Sequence, residues 1–250
     1  MTMDYKDTIR IAAVGDLHCP KTPDDVLRAV FKYANEEAEV LLLCGDLTDY
    51  GKPEEAVTLA KLLSDVRIPM LGVLGNHDYE SGQPHDVERI LCEAGLLILD
   101  GDFRILHDIG FVGAKGFAGG FGERALQPWG EDVLKHFVRE AIDEALKLES
   151  ALAKVQVSRR IVLMHYAPIA QTTYGEPAEI VPFLGSSRLE EALNRYPIVA
   201  AFHGHAHHGS LEGRTRDQVP IYNVALPLLQ RMCPDRPPVR ILEVPCLVAT

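Results

Sequence analysis

The stretch Ile9-Arg10-Ile11-Ala12-Ala13-Val14-Gly15-Asp16-Leu17-His18 ends a β-branched, apolar run on a glycine and at once presents a carboxylate and an imidazole. A short apolar run bounded by a turn residue reads as a buried strand. Two more follow the same design: Val40-Leu41-Leu42-Leu43-Cys44 leads into Gly45-Asp46-Leu47-Thr48-Asp49, and Met70-Leu71-Gly72-Val73-Leu74 into Gly75-Asn76-His77-Asp78. Helical patterns fill the gaps. Thr22-Pro23-Asp24-Asp25 reads as a capped helix start with acids in its first turn, and Val26, Leu27, Val30 and Phe31 recur at helical spacing behind it. Pro53 to Leu63 carries a stripe of Ala56, Leu59, Leu62 and Leu63. The order β-α-β-α-β predicts a largely parallel sheet covered by helices, in which chemistry gathers at the carboxyl ends of the strands.

Beyond residue 100 the texture changes. The glycine-rich run Gly110 to Gly122 reads as a strand with a hairpin at the edge of a site, where Lys115, Phe117 and Phe121 could meet an anionic or planar group. A long helical stretch runs from about 130 to 153, and Trp129 before it reads as a packing anchor. Apolar runs recur at 161–164, 198–202, 221–224 and 239–244; the first ends in His165 and the second in His203-Gly204-His205-Ala206-His207-His208. Ser187-Arg188-Leu189-Glu190 fits a capping box before a short helix, with Arg188 expected to pair with Glu191 or Glu212. The expectation is one domain over residues 1–250, built of two packed sheets with helices outside.

Composition excludes several classes. No apolar segment of the 250 residues approaches a membrane span, and the polar Met1–Lys6 lacks the pattern of a signal peptide. The five cysteines (Cys19, Cys44, Cys92, Cys233, Cys246) are odd in number with no Cys-x-x-Cys, which argues for reduced thiols in a cytoplasmic protein. A formal net charge of −11 argues against a nucleic-acid-binding face without excluding a small anionic substrate, because a bound metal inverts the local field. The oligomeric state is not read from the sequence.

Five times, then, a strand ends in groups that bind metals: Asp, His, or the amide oxygen of Asn. Oxygen and nitrogen donors without sulfur suit Mn, Fe, Zn, Co or Ni. Seven or eight donors exceed the needs of one ion, whereas two ions sharing a carboxylate, typically about 3.5–4 Å apart, would use them all and generate a hydroxide at neutral pH.

Asp-x-His (16–18), Gly-Asp-x-x-Asp (45–49), Gly-Asn-His-Asp (75–78), a lone His165 and Gly-His-x-His (204–207), in that order, resemble the calcineurin-like metallophosphoesterases. The resemblance implies a four-layer αββα sandwich of two mixed sheets flanked by helices. It implies that Asp16, His18 and His207 hold one metal, that Asn76, His165 and His205 hold the other, and that Asp46 bridges the two. His77 would face the leaving-group oxygen, oriented by Asp49. Asp78 is expected to shape the turn after His77, and His203 and His208 fall outside the pattern.

Tyr50 stands where protein phosphatases of this superfamily carry Arg, and Gly45-Asp46-Leu47-Thr48-Asp49 looks like the small phosphodiesterase branch. His165-Tyr166-Ala167-Pro168 departs from the His-His-Pro-Pro of that branch. The expected activity is hydrolysis of a small nucleotide, cyclic ones included, or of a similar diester. A phosphomonoesterase is the runner-up, a nuclease would need a surface this acidic chain does not offer, and a non-enzymatic scaffold of the same fold is the reading from a different class.

Overall fold

A computed structural model describes residues 8–245 of the chain. The readings of Met1–Lys6 and of Cys246 lie outside the described residues. Strands β1 (Thr8–Val14), β2 (Val40–Cys44), β3 (Met70–Val73) and β4 (Leu96–Ile98) run parallel in one sheet. The last described strand, β11 (Arg240–Pro245), pairs antiparallel with β1, so the sheet order is β11-β1-β2-β3-β4. Helices α1 (Asp24–Glu37), α2 (Pro53–Leu63) and α3 (Pro84–Glu93) accompany this sheet.

The second sheet takes the order β5 (Asp102–Leu106), β6 (Ile109–Gly113), β7 (Arg159–Leu163), β8 (Ala200–His203), β10 (Pro220–Asn223), β9 (Glu212–Arg214). Its four central strands are parallel and its two edges antiparallel. Alternation along these strands divides the core, because successive side chains leave opposite faces of a sheet. Phe111, Ile161, Leu163 and Phe202 join the cluster that includes Leu41, Leu43 and Val14 of the first sheet. Val112, Val162 and Ala201 turn the other way, onto Leu148 and Leu152 of α4 (Asp132–Lys154) and Leu189 and Leu193 of α5 (Ser187–Leu193). The result is two mixed sheets face to face with helices outside, as expected.

The strand pattern explains why the first half reads so plainly. All five residues of β2 are buried, so β2 is apolar throughout rather than alternating. At the carboxyl ends the amide of Gly15 ties the first sheet to the second by donating to Val224 O (2.8 Å), and within the second sheet the amide of Gly204 donates to His165 O (3.1 Å). Every ligating motif therefore opens onto one edge of the sandwich.

Several local expectations change. Pro23, not Thr22, stands at the N-cap of α1, with no side-chain cap. Ser186 caps α5, accepting from the Arg188 amide, while Ser187 Oγ accepts from the Gly122 amide (2.7 Å). Arg188 reaches Leu126 O rather than an acid. Trp129 is 57% exposed and anchors nothing in the core.

Candidate metal centre

The loops after β1 and β2 bend sharply as soon as they leave the sheet. Asp16 (φ 57°), His18 (φ 43°) and Asp46 (φ 49°), with His205 (φ 68°) from the second sheet, adopt the left-handed conformation that non-glycine residues rarely hold. Such strain costs of order 1–3 kcal/mol per residue and persists where surrounding structure enforces it. Here the enforcement is close packing against glycine. A Cβ on Gly75 would collide with the Asp46 carboxylate, and one on Gly204 with that of Asp16. The glycines of Gly-Asn-His-Asp and Gly-His-x-His are thus seats for two carboxylates.

Asp78 locks the seat from below. Fully buried, its Oδ2 accepts from the amides of Leu47 (3.2 Å) and Gly75 (2.8 Å), and its Oδ1 from the amide (2.8 Å) and hydroxyl (2.6 Å) of Thr48. Burial pushes this carboxyl up, to about 6, with the charge of Asp46 adding to the effect and the hydrogen bonds from Gly75 and Thr48 opposing it. It binds the β2 loop to the β3 loop, so the turn-shaping role expected of it extends to two turns.

Around Asp46 the donors converge. Its Oδ1 lies 3.4 Å from His165 Nε2 and its Oδ2 3.8 Å from His18 Nε2. The two oxygens of one carboxylate thus face two different clusters. Asp16, His18 and His207 form the first, with His207 Nε2 2.9 Å from Asp16 Oδ1. Asp46, His165 and His205 form the second, joined by Asn76, whose Oδ1 lies 2.9 Å from His165 Nε2. The seven residues expected to ligate are therefore brought together.

Ring orientations test whether these residues fit a cation. His165 Nδ1 lies 3.0 Å from Cys44 O, a group that only accepts, so Nδ1 carries a hydrogen. Its Nε2 then points at the Asn76 oxygen and at His205 Nδ1, 3.1 Å away. His205 Nε2 faces Phe183 O (3.3 Å), so Nδ1 is the lone-pair nitrogen of that ring as well. Acceptors from three residues thus aim at one point. Imidazoles oriented by carbonyls through their far nitrogen are the usual support of metal-binding histidines. His18 adds a second sign: both ring nitrogens are buried and neither makes a hydrogen bond, the Asp49 and Asp46 carboxylates standing 3.3 Å from Nδ1 and 3.8 Å from Nε2 without hydrogen-bond geometry. Orphaned buried groups of this kind are costly unless something satisfies them. The donor set fits metal ions.

Electrostatics agree. Burial alone would raise the carboxyls of Asp16 and Asp46, yet His207 holds Asp16, and His165 holds Asp46, below the usual range. Burial lowers His205, to about 3, leaving it neutral and free to coordinate. Burial also opposes charge on His165, but the Asp46 carboxylate raises it to about 9; a cation in place of that proton would satisfy the same carboxylate.

His77 stands outside these clusters, edge-on to the His18 ring at 4.6 Å between centroids. Its expected partner is present in a different form. The His77 Nδ1 hydrogen is accepted by the backbone carbonyl of Asp49 (2.7 Å), while the Asp49 carboxylate turns to His18 Nδ1 (3.3 Å) and Lys21 Nζ (3.5 Å). A tight turn after β2 leaves the carbonyl, not the side chain, on the His77 side. His203 is buried, with Nε2 2.8 Å from Thr172 Oγ1 and Nδ1 turned to its own loop. Sequence reasoning gave no role to Tyr166, whose ring lies 4.5 Å from that of His205 and 5.4 Å from that of His165. Its position directly after a strand-end histidine was the available signal.

The sequence model of the calcineurin-like phosphoesterases matches residues 9–209, which include every donor named above. The chain belongs to this family. It is a metallophosphoesterase, a hydrolase of phosphoesters by family. No curated protein matches it by sequence. Among solved structures it is similar to phosphopantetheinyl hydrolase (PptH) from Mycobacterium tuberculosis, with a TM-score of 0.69 and 14% identity over 93% of this chain and 95% of that one. It is also similar to TT1561 of Thermus thermophilus (TM-score 0.53, 14% identity, 96% and 100% covered) and to GAP50, the anchor in the inner membrane complex of Plasmodium (TM-score 0.54, 14% identity, 89% and 73% covered). At these identities the likeness concerns the metallophosphoesterase's fold alone. No helix among the described residues is long and apolar enough to cross a membrane.

Proposed function

We propose that this metallophosphoesterase is a dinuclear enzyme that hydrolyses a small phosphodiester, within a single domain over residues 1–250 and in the cytoplasm. The observation that carries the reading is Asp46, whose two oxygens face separate donor clusters. Asp16, His18 and His207 would hold one ion and Asn76, His165 and His205 the other, with Asp46 between them. When bound, two such ions polarise phosphoryl oxygens and make water nucleophilic at neutral pH.

The chain's own residues supply the rest. Hydrolysis leaves negative charge on the departing oxygen, which a proton must neutralise. His77 Nδ1 is committed to the Asp49 carbonyl, so Nε2 is the nitrogen free to act. In the imidazolium form, Nε2–H donates to the leaving oxygen. Asp49 takes two positioning parts: its carbonyl fixes the His77 tautomer, and its carboxylate steadies His18.

An anionic substrate is supported by cations near the mouth of a chain that is acidic as a whole. Lys21 lies beside Asp49, and Arg231 donates to His207 O (3.1 Å). Tyr50, 53% exposed, offers a neutral ring where the protein phosphatases carry Arg, which favours a small diester over a phosphoprotein. The intact donor set favours this reading over a non-enzymatic scaffold of the same fold.

The test is metal analysis of protein purified without added metal, together with hydrolysis of bis-p-nitrophenyl phosphate and p-nitrophenyl phosphate. Bound metal with faster turnover of the diester is expected. Metal-bound protein inert on both esters would overturn the enzymatic reading; a preference for the monoester would overturn the diester assignment.

A further inference from the structure

The wall beside the candidate metal centre contains a cation to which the hydrolytic step gives no task. Tyr166, in contact with the His165 and His205 rings, continues outward into Phe117 (5.8 Å between centroids), which meets Phe137 (5.0 Å). Lys115 sends its ammonium into this array. Nζ stands 5.0 Å from the Phe117 centroid, 5.5 Å from that of Tyr166 and 5.5 Å from that of Tyr79, so three rings surround it. One ring, Tyr166, touches both the ammonium and the imidazoles of the candidate centre. The main chain couples them too, because Lys115 O accepts from the amides of His165 (3.0 Å) and Tyr166 (3.2 Å).

This ammonium is underused. It donates to Gly116 O (3.0 Å), and no carboxylate lies within 4.0 Å of it among the described residues. Two of the nearby acids are engaged elsewhere, since Lys147 takes both Asp100 (2.8 Å) and Glu144 (2.6 Å) and Glu144 also accepts from the Gly116 amide, while Glu140 acts on Lys115 only at longer range. Cation–π contacts attract the ammonium but satisfy none of its remaining N–H donors. Burial lowers the pKa of Lys115, so holding a charge here carries a cost. An ammonium has three donors, and two remain for a ligand.

We propose, on the diesterase reading above, that Lys115 is a specificity residue: it binds a second anionic group of the substrate, separate from the scissile phosphodiester. The surrounding rings of Tyr79, Phe117 and Tyr166 suit a planar or apolar group lying between the two anions. The substrate class is thus a diester with two charged ends and a flat middle, such as a nucleotide carrying a further phosphate.

A matched pair of esters tests this. Thymidine 3′-(p-nitrophenyl phosphate) and its 5′-phosphorylated form share the nucleoside, the scissile diester and the leaving group. The readout is the ratio of their kcat/KM values, which general structural damage does not move. The wild-type ratio is expected to favour the 5′-phosphorylated ester about tenfold, a charge-assisted contact's worth. Lys115→Met should bring the ratio to near one and Lys115→Arg should keep it above one; Lys115→Gln gives the same reading as Met should that variant fail to fold. A wild-type ratio of one, or a ratio unchanged in Lys115→Met or Lys115→Gln, overturns the proposal while leaving the diesterase reading intact. Failure of the wild type on both esters and on bis-p-nitrophenyl phosphate overturns both.

Discussion

The two halves of the sandwich contribute to one centre by different means. In the first sheet, donors are set by main-chain geometry: Asp16 and Asp46 occupy left-handed positions, press on glycines and are held from below by Asp78. In the second, His165 and His205 are set by ring hydrogen bonds to the carbonyls of Cys44 and Phe183, and aromatic side chains stand around them. The first half is a rigid carboxylate seat, and the second a set of steerable imidazoles leading into a wall of rings. The second half is also where Lys115, Tyr166 and Phe183 lie.

Substitutions separate the two. Asp46→Asn should have the largest effect, removing metal from both clusters at once and lowering kcat/KM by about 10⁴-fold or more, read by metal content and diester turnover. His77→Ala should leave metal content unchanged while kcat falls by roughly 10²–10⁴-fold, the range of general acid catalysis. Full activity of that variant on a diester with a poor leaving group would remove His77 from the reaction. Asp78→Ala orphans three buried amides and should cost at least about 3 kcal/mol, measured by urea unfolding. If stability is unchanged, the seat is not held from below.

The mildest test concerns the second half alone. His165 is raised to about 9 by Asp46 against burial, so below that pH a metal must displace its proton. Affinity for added Mn²⁺ should therefore rise with pH, by about tenfold per unit where one proton is released, and level off above about 9. A pH-independent affinity would mean that His165 takes no part.

How legible all this is in the sequence follows the same division. β2 and the run from Ile11 to Val14 are buried on both faces, so their composition announces them. The motifs behind them are short because the loops are tight. β4, β5 and β9 are not legible, since β4 and β9 last only three residues each and β5 and β9 are largely exposed. α3 and α6 (Leu226–Met232) also escape, α3 burying only Val87 and Leu91 and α6 lasting seven residues. Of the site, the seven donors could be named from five motifs. That His77 would meet the Asp49 carbonyl rather than its carboxylate could not, because which face of a turn carries the oxygen depends on φ and ψ, not on residue type. The aromatic cage of Lys115 draws on three separate loops, and no spacing along the chain encodes it.

The most direct measurement is an anomalous-scattering map from crystals of the protein grown with Mn²⁺. The account predicts two peaks about 3.5–4 Å apart, one on each side of the Asp46 carboxylate. A single peak, or manganese bound away from Asp46, would contradict it.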